Sequence, residues 1–193
     1  ERGVQYVEIR CLDIDPFEPI GIAASTCHFM DAFLLFCAVS ESGLFPHDGH
    51  CAQSQNNFAL TVKQGRDPAL TLNKEGSRLS VKDWGHEILD QILAYAKELD
   101  IAYSTTQYSA AVELQRQKLD NPDLTPSARL LQELRNSGLS LQDYTLQKSQ
   151  EHSDALRFQE LSVETDQKLK NMAQESILEQ KDIEASDTES FDE

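Results

Sequence analysis

From Thr26 to Ser40 the sequence is apolar nearly all the way round a helical wheel, with Phe29, Met30, Phe33, Leu34, Leu35, Phe36 and Val39 leaving little polar face. A helix of that kind has no side to give to water, so the remaining chain must fold around it. Ser25 or Thr26 is placed to cap its N-terminus. The chain is long enough to build that cover: 193 residues, 39% hydrophobic and 26% charged, suit one domain with a sizeable core. The stretch is not a membrane span. Its unbroken apolar run, Ala32 to Val39, falls well short of the ~20 residues a spanning helix needs.

The net charge of −16 disfavours nucleic acid or an anionic membrane surface as the main partner, because both repel acid. A phosphate-bearing substrate stays open, since local cations or a bound metal reverse the sign inside a site. Cys11, Cys27, Cys37 and Cys51 show no CxxC spacing, and no export signal opens the chain, so reduced thiols and a cytoplasmic location are expected. The first residue is Glu1, inside a strand pattern, which reads as the C-terminal piece of something longer.

That pattern runs from about Gly3 to Arg10, β-branched and aromatic, with Val7 and Ile9 on one face and Tyr6, Glu8 and Arg10 on the other. Asp13, Asp15 and Pro16 end it. Ser42 to Ser54 reads as a polar loop. Gly65-Arg66-Asp67-Pro68 reads as a turn leading into a short alternation from Ala69 to Leu72. Trp84 to Leu99 and Ala110 to Leu119 carry helical spacing. Thr125 is placed as N-cap, Pro126 as first helical residue and Gly138 as the stop of a further helix. Beyond Leu141 a polar helical pattern continues to about Lys181. Acidic residues outnumber basic ones 13 to 4 over residues 151–193, and the end of the chain, 183–193, is expected to be an acidic, flexible tail.

Three constellations bear on chemistry. Glu8 and Arg10 share a strand face and are followed by Asp13 and Asp15. Such a face suits a solvated sheet surface with an ion pair. That is the ordinary reading of such a face; the sharper one is a nucleotide–metal site, where a carboxylate offers Mg²⁺ hard oxygen and an arginine neutralises a transferring phosphoryl group. Spacing alone does not choose. His47-Asp48-Gly49-His50-Cys51, with Cys27-His28 upstream, lacks the paired spacing of a zinc site and reads as loop histidines and buried thiols. Gly65-Arg66 can bring a cation beside a phosphate, or simply make a turn.

The run Arg2-Gly3-Val4-Gln5-Tyr6-Val7-Glu8-Ile9-Arg10, continued by Leu12-Asp13-Ile14-Asp15-Pro16-Phe17 and Pro19-Ile20-Gly21, closely resembles the proteobacterial type of glutamate–cysteine ligase. Gly65-Arg66, Pro68, Leu70-Thr71-Leu72, Asp120 through Thr125 and Ser127-Ala128-Arg129 extend the resemblance across essentially the whole chain. It implies an α+β architecture: the mostly helical C-terminal part of a glutamine-synthetase-like fold, with one funnel-lining strand at residues 3–10. Residues 1–182 would then belong to the catalytic domain. The implied reaction uses ATP and Mg²⁺ to join the γ-carboxylate of L-glutamate to the amine of L-cysteine, the first step of glutathione synthesis. By the same resemblance Glu8 is a Mg²⁺ ligand, and Arg10 is the catalytic residue that contacts the γ-phosphate of the bound nucleotide. The glutamate and cysteine pockets would lie in an N-terminal part of the same chain, so the 193-residue piece alone is expected to be inactive. Two other readings remain: a non-catalytic interaction module presenting the acidic Gln142–Lys181 helix, and a related ligase with a different amine acceptor.

Overall fold

A computed structural model of the protein describes residue 3, residues 5–41 and residues 50–187. Its elements, in chain order, are α1 (Ala24–Val39), α2 (His50–Gln64), β1 (Thr71–Lys74), β2 (Ser77–Ser80), α3 (Val81–Tyr103), α4 (Gln107–Asp120), a 3-10 turn (Pro122–Leu124), α5 (Pro126–Ser137), α6 (Leu141–Arg157) and α7 (Val163–Ser186). Helix dominates. No described helix is long and apolar enough to cross a membrane. The chain divides into two compact units, Glu1–Gln150 and Glu151–Glu193.

In the first unit the all-round-apolar helix α1 does become the centre of the core. Ala32 is fully buried and packs with Leu89, Ile92 and Ala96 of α3 and Val112 of α4. Small residues at 32, 96 and 111 let the three helices approach closely, while Phe29, Phe33, Phe36 and Leu119 close the edges. Gly85 serves the same end, because a Cβ there would meet Leu119 Cδ1 at 2.5 Å. Each fully buried aliphatic side chain such as Ile92 contributes roughly 1.5–3 kcal/mol.

The connections are set by polar side chains. Ser80 ends β2 and caps α3, its Oγ accepting from Asp83 N at 3.0 Å. Asp100, buried near the end of α3, takes over the capping of α4: its Oδ1 accepts from Tyr108 N at 2.9 Å and its Oδ2 from Ser109 N at 3.0 Å. Burial opposes the charge on Asp100, but these hydrogen bonds, helped by nearby His28, outweigh it and hold the carboxyl below its ordinary value. Thr125 caps α5, Pro126 is its first residue, and Gly138 ends it at φ 69°, all as the sequence indicates.

Several expectations need correcting. Helix α1 starts at Ala24 with Ala23 as a cap that makes no side-chain bond, so Ser25 and Thr26 fall inside the first turn. Of the expected 42–54 loop, residues 42–49 lie outside the described ones, and His50 onward is helix α2. That helix escapes the hydrophobic pattern because its inward face is polar. Asn57 brackets the backbone of Asn73, donating to its O at 2.7 Å and accepting from its N at 3.0 Å, and Gln53 joins it at 2.8 Å. The alternation placed at Ala69–Leu72 is the hairpin β1–β2, which pairs Thr71 with Ser80 and Lys74 with Ser77. It reverses through Glu75-Gly76, both at positive φ, which is why a glycine stands at 76. Cys27 is exposed rather than buried, as are Cys11 and Cys37.

The second unit carries the last turns of α6 and then α7. The long helix expected from Leu141 to Lys181 is interrupted at Phe158–Ser162, and Ser162 restarts it by accepting from Thr165 N at 3.1 Å. Glu164 and Asp166 in that first turn complement the helix dipole. Helix α7 continues through Ser186, and none of its residues is buried.

Candidate active site

The strand expected at residues 3–10 is not among the described elements: Gln5 to Arg10 takes no regular secondary structure, and none of its backbone groups enters a backbone hydrogen bond among the described residues. The expected alternation shows only at Ile9, since Val7 is 62% exposed. Ile9 turns inward, half-buried, and with Cys11 and Leu12 lines an apolar groove of about 340 Å³ against Phe29 and Phe33 of α1 and Ile88 of α3. Glu8 and Arg10 lie on the other side. The Arg10 guanidinium donates to Glu8 Oε2 at 2.9 Å, with the two side chains 82% and 53% exposed. A pair that open to water is worth at most ~1 kcal/mol. It keeps two opposite charges adjacent and is cheaply exchanged for other partners.

The next residues form a compact loop. Asp15 Oδ1 accepts from Phe17 N at 3.0 Å, Asp15 N donates to Gly21 O at 2.8 Å, and Gly21 N donates to Glu18 O at 3.0 Å. Gly21 sits at φ 77°, and a Cβ there would lie 2.9 Å from Ile14 Cγ2, so the loop requires glycine. Arg129 of α5 covers the ring of Phe17 at 4.0 Å and fastens the loop to the helices. Asp15 is thus engaged in holding the loop. Both Asp13 and Asp15 line a cleft of about 590 Å³ between this loop, α4 and the start of α5, opposite Lys118 of α4.

A second cleft, about 550 Å³, opens beside the Gly65–Pro68 turn. Asp67 makes the turn, accepting from Ala69 N at 2.9 Å, while Arg66 reaches across to Asp123 at 2.7 Å. Lys82 binds Asp120 at 2.9 Å, and His86 Nε2 contacts the same carboxylate at 3.0 Å. Hydrogen bonds from Lys82 first, then His86, hold the Asp120 carboxyl below its ordinary value. Arg116 donates to His86 Nδ1 at 3.1 Å and to Asp90 at 2.7 Å. An arginine can only donate, so His86 Nδ1 is the acceptor in this contact and Nε2 faces Asp120. These ion pairs tie α3, α4 and the turn together.

Of the residues singled out in the sequence, Glu8 and Arg10 are brought into contact, and Asp13 and Asp15 follow on the adjoining loop. Arg66 joins a different cleft. His47, Asp48 and Gly49 lie outside the described residues, as do the side chains of His50 and Cys51. Of the two remaining members of that group, Cys27 is exposed and His28 packs edge-on against Tyr108 at 4.9 Å. Among the described residues no three His, Cys, Asp or Glu side chains gather as a metal site. One residue gave no sequence signal yet stands in the walls of both clefts: Lys118 of α4.

The family sequence profile described as glutamate-cysteine ligase matches residues 1–60, the stretch that holds Glu8, Arg10 and the loop. A glutamate–cysteine ligase of Bordetella parapertussis is 54% identical over 192 residues, which is all of this chain and 36% of that protein. One from Pseudomonas paraeruginosa is 42% identical over 99% of the chain, again 36% of the relative. The crystal structure of glutamate–cysteine ligase from Francisella tularensis in complex with AMP superposes with a TM-score of 0.84 at 34% identity, over 98% of this chain and 37% of that one. The chain spans about 36% of the length of the curated relatives it matches. In sequence and in fold, the chain matches the glutamate–cysteine ligases over that part of their length.

Proposed function

We propose that the chain is the C-terminal portion of a glutamate–cysteine ligase, which uses ATP to join the γ-carboxylate of L-glutamate to the amine of L-cysteine in the cytoplasm. In that reaction the γ-carboxylate takes the terminal phosphoryl group of ATP, releasing ADP, and the cysteine amine then displaces phosphate from the acyl phosphate. The chemistry is almost entirely charge neutralisation and alignment. The observation that carries the reading is the Glu8–Arg10 pair: two opposite charges side by side, open, within the stretch the family profile matches.

Arg10 is the group that meets the transferring phosphoryl oxygens, where a guanidinium offers a planar fork of donors. Glu8 suits Mg²⁺, which favours carboxylate oxygen and commonly takes only one or two protein carboxylates beside the phosphates. The ion supplies charge neutralisation on the phosphates when bound. Breaking the exposed Glu8–Arg10 contact to free both groups costs at most ~1 kcal/mol. The unpaired backbone of Gln5–Arg10 fits a strand whose neighbours come from the part of the relatives this chain does not span, and which also holds the amino-acid pockets.

Titrating Mg²⁺ against turnover of the full-length enzyme tests the role of Glu8. Glu8→Gln should shift the titration midpoint upward about tenfold or more while the fold stays intact. An unchanged midpoint with normal turnover would remove Glu8 from the metal site.

A further inference from the structure

The cations of the helical unit are not spent alike. Arg66, Lys82 and Arg116 each hold a carboxylate, at 2.7, 2.9 and 2.7 Å. Arg129, in the first turn of α5, holds none among the described residues. Its guanidinium lies 4.0 Å from the centre of the Phe17 ring, well inside the ~6 Å at which an aromatic face attracts a cation. The base it acts from is firm: Thr125 caps α5, Pro126 opens its first turn and Ala128 is buried. The loop it holds is closed on itself, with Phe17 N donating to Asp15 Oδ1 and Asp15 N donating to Gly21 O.

The loop follows Arg10 almost at once. Between them, Cys11 and Leu12 line the apolar groove together with Ile9. The segment Gln5–Arg10 has no backbone hydrogen bond of its own among the described residues. Within this chain its position is therefore set from its C-terminal end. Ile9, Cys11 and Leu12 hold it in the groove, and the loop that Arg129 pins to α5 fixes where the chain goes next. Pro16 stiffens the link, because proline fixes its own φ and restricts the residue before it.

We infer that Arg129 is a positioning residue for Arg10: by clamping Phe17 it holds the loop that sets where the Arg10 guanidinium stands. This deepens the ligase reading and rests on it, since there Arg10 meets the transferring phosphoryl group. Arg129 itself acts only through the ring and the loop. Alignment is what such a step needs, and a displacement of ~1 Å begun far from the chemistry can cost about 10²-fold.

The test is a set of variants of the full-length enzyme, read by cysteine-dependent ADP release with ATP, Mg²⁺ and glutamate. Arg129→Ala should lower kcat about tenfold and move the KM values less than about threefold, because alignment is lost rather than substrate binding. Arg129→Lys should keep at least about half the rate, since an ammonium also lies over an aromatic face. Phe17→Leu keeps bulk without that face and should lose as much as Arg129→Ala, and the double variant no more than either. Added to Arg10→Ala, Arg129→Ala should cost nothing further, because no guanidinium is left to misplace. Losses that multiply in that pairing would overturn the assignment, as would a full rate in both Arg129→Ala and Phe17→Leu. Amide exchange over residues 13–21 gives a readout apart from activity. It should quicken about tenfold in Arg129→Ala, and unchanged exchange would show that no clamp holds the loop. A parent that releases no ADP in response to cysteine sinks the ligase reading and the role of Arg10 with it. A parent that turns over beside unaffected variants sinks the clamp alone.

Discussion

The core of α1, α3 and α4 and the segment Gln5–Arg10 differ in kind. The core is complete within the chain: Ala32, Ile92, Ala96 and Val112 are at most 1% exposed, and even the start of α4 is capped by a neighbouring helix through Asp100. The segment has open backbone groups, and its outward charges face solvent. The buried residues at the centre of the core carry none of the chemistry proposed for Glu8 and Arg10. The region with the proposed chemistry gets only one face of support, through Ile9 and Cys11 in the groove. Stability and catalysis are thus lodged in different residues, and changes to one should leave the other measurable.

The sharpest way to break that separation is within the core. Ile92→Ala should cost roughly 2–5 kcal/mol, the transfer loss plus an unfilled cavity between three helices. Urea unfolding of the chain reads it directly. A cost below 1 kcal/mol would mean that the three-helix packing is not what holds the unit together. Asp100→Asn should have a smaller effect, about 1–2 kcal/mol at neutral pH, because an amide satisfies only one of the two α4 N–H groups. The sign with pH follows from the lowered carboxyl. The stabilisation by Asp100 is fully present above its ordinary value of 3.8 and is lost as pH falls through the lower folded value. Wild type and variant should therefore converge in acid. Curves that stay parallel from pH 7 to pH 3 would show that Asp100 does not cap as an anion.

How much of this was legible depended on whether a local signal existed. Thr125, Pro126 and Gly138 announced α5 because caps and stops are written in neighbouring residues. Alternation put Glu8 and Arg10 on one face, and they are in contact there. Helix α2 was missed because Asn57 and Gln53 anchor it through hydrogen bonds to Asn73, which leave no apolar stripe. The break before α7 was missed because a polar pattern continues across Phe158–Ser162 with only Ser162 to mark the restart. Lys118 was illegible for a different reason. Its cleft is made by the 11–22 loop and the start of α5, about a hundred residues apart, so no local pattern places Lys118 in one cleft with Asp13 and Asp15.

The central claim is that the exposed Glu8–Arg10 face performs phosphoryl transfer once the full protein surrounds it. Cysteine-dependent ADP release by the full-length protein, with ATP, Mg²⁺ and glutamate, beside its Arg10→Ala variant, tests this most directly. The parent should turn over, and the variant should lose on the order of 10²–10³ in rate, the usual loss for a removed charge-stabilising donor, while its thermal unfolding stays the same. A variant that turns over like the parent, or a parent whose ADP release ignores cysteine, would contradict the account.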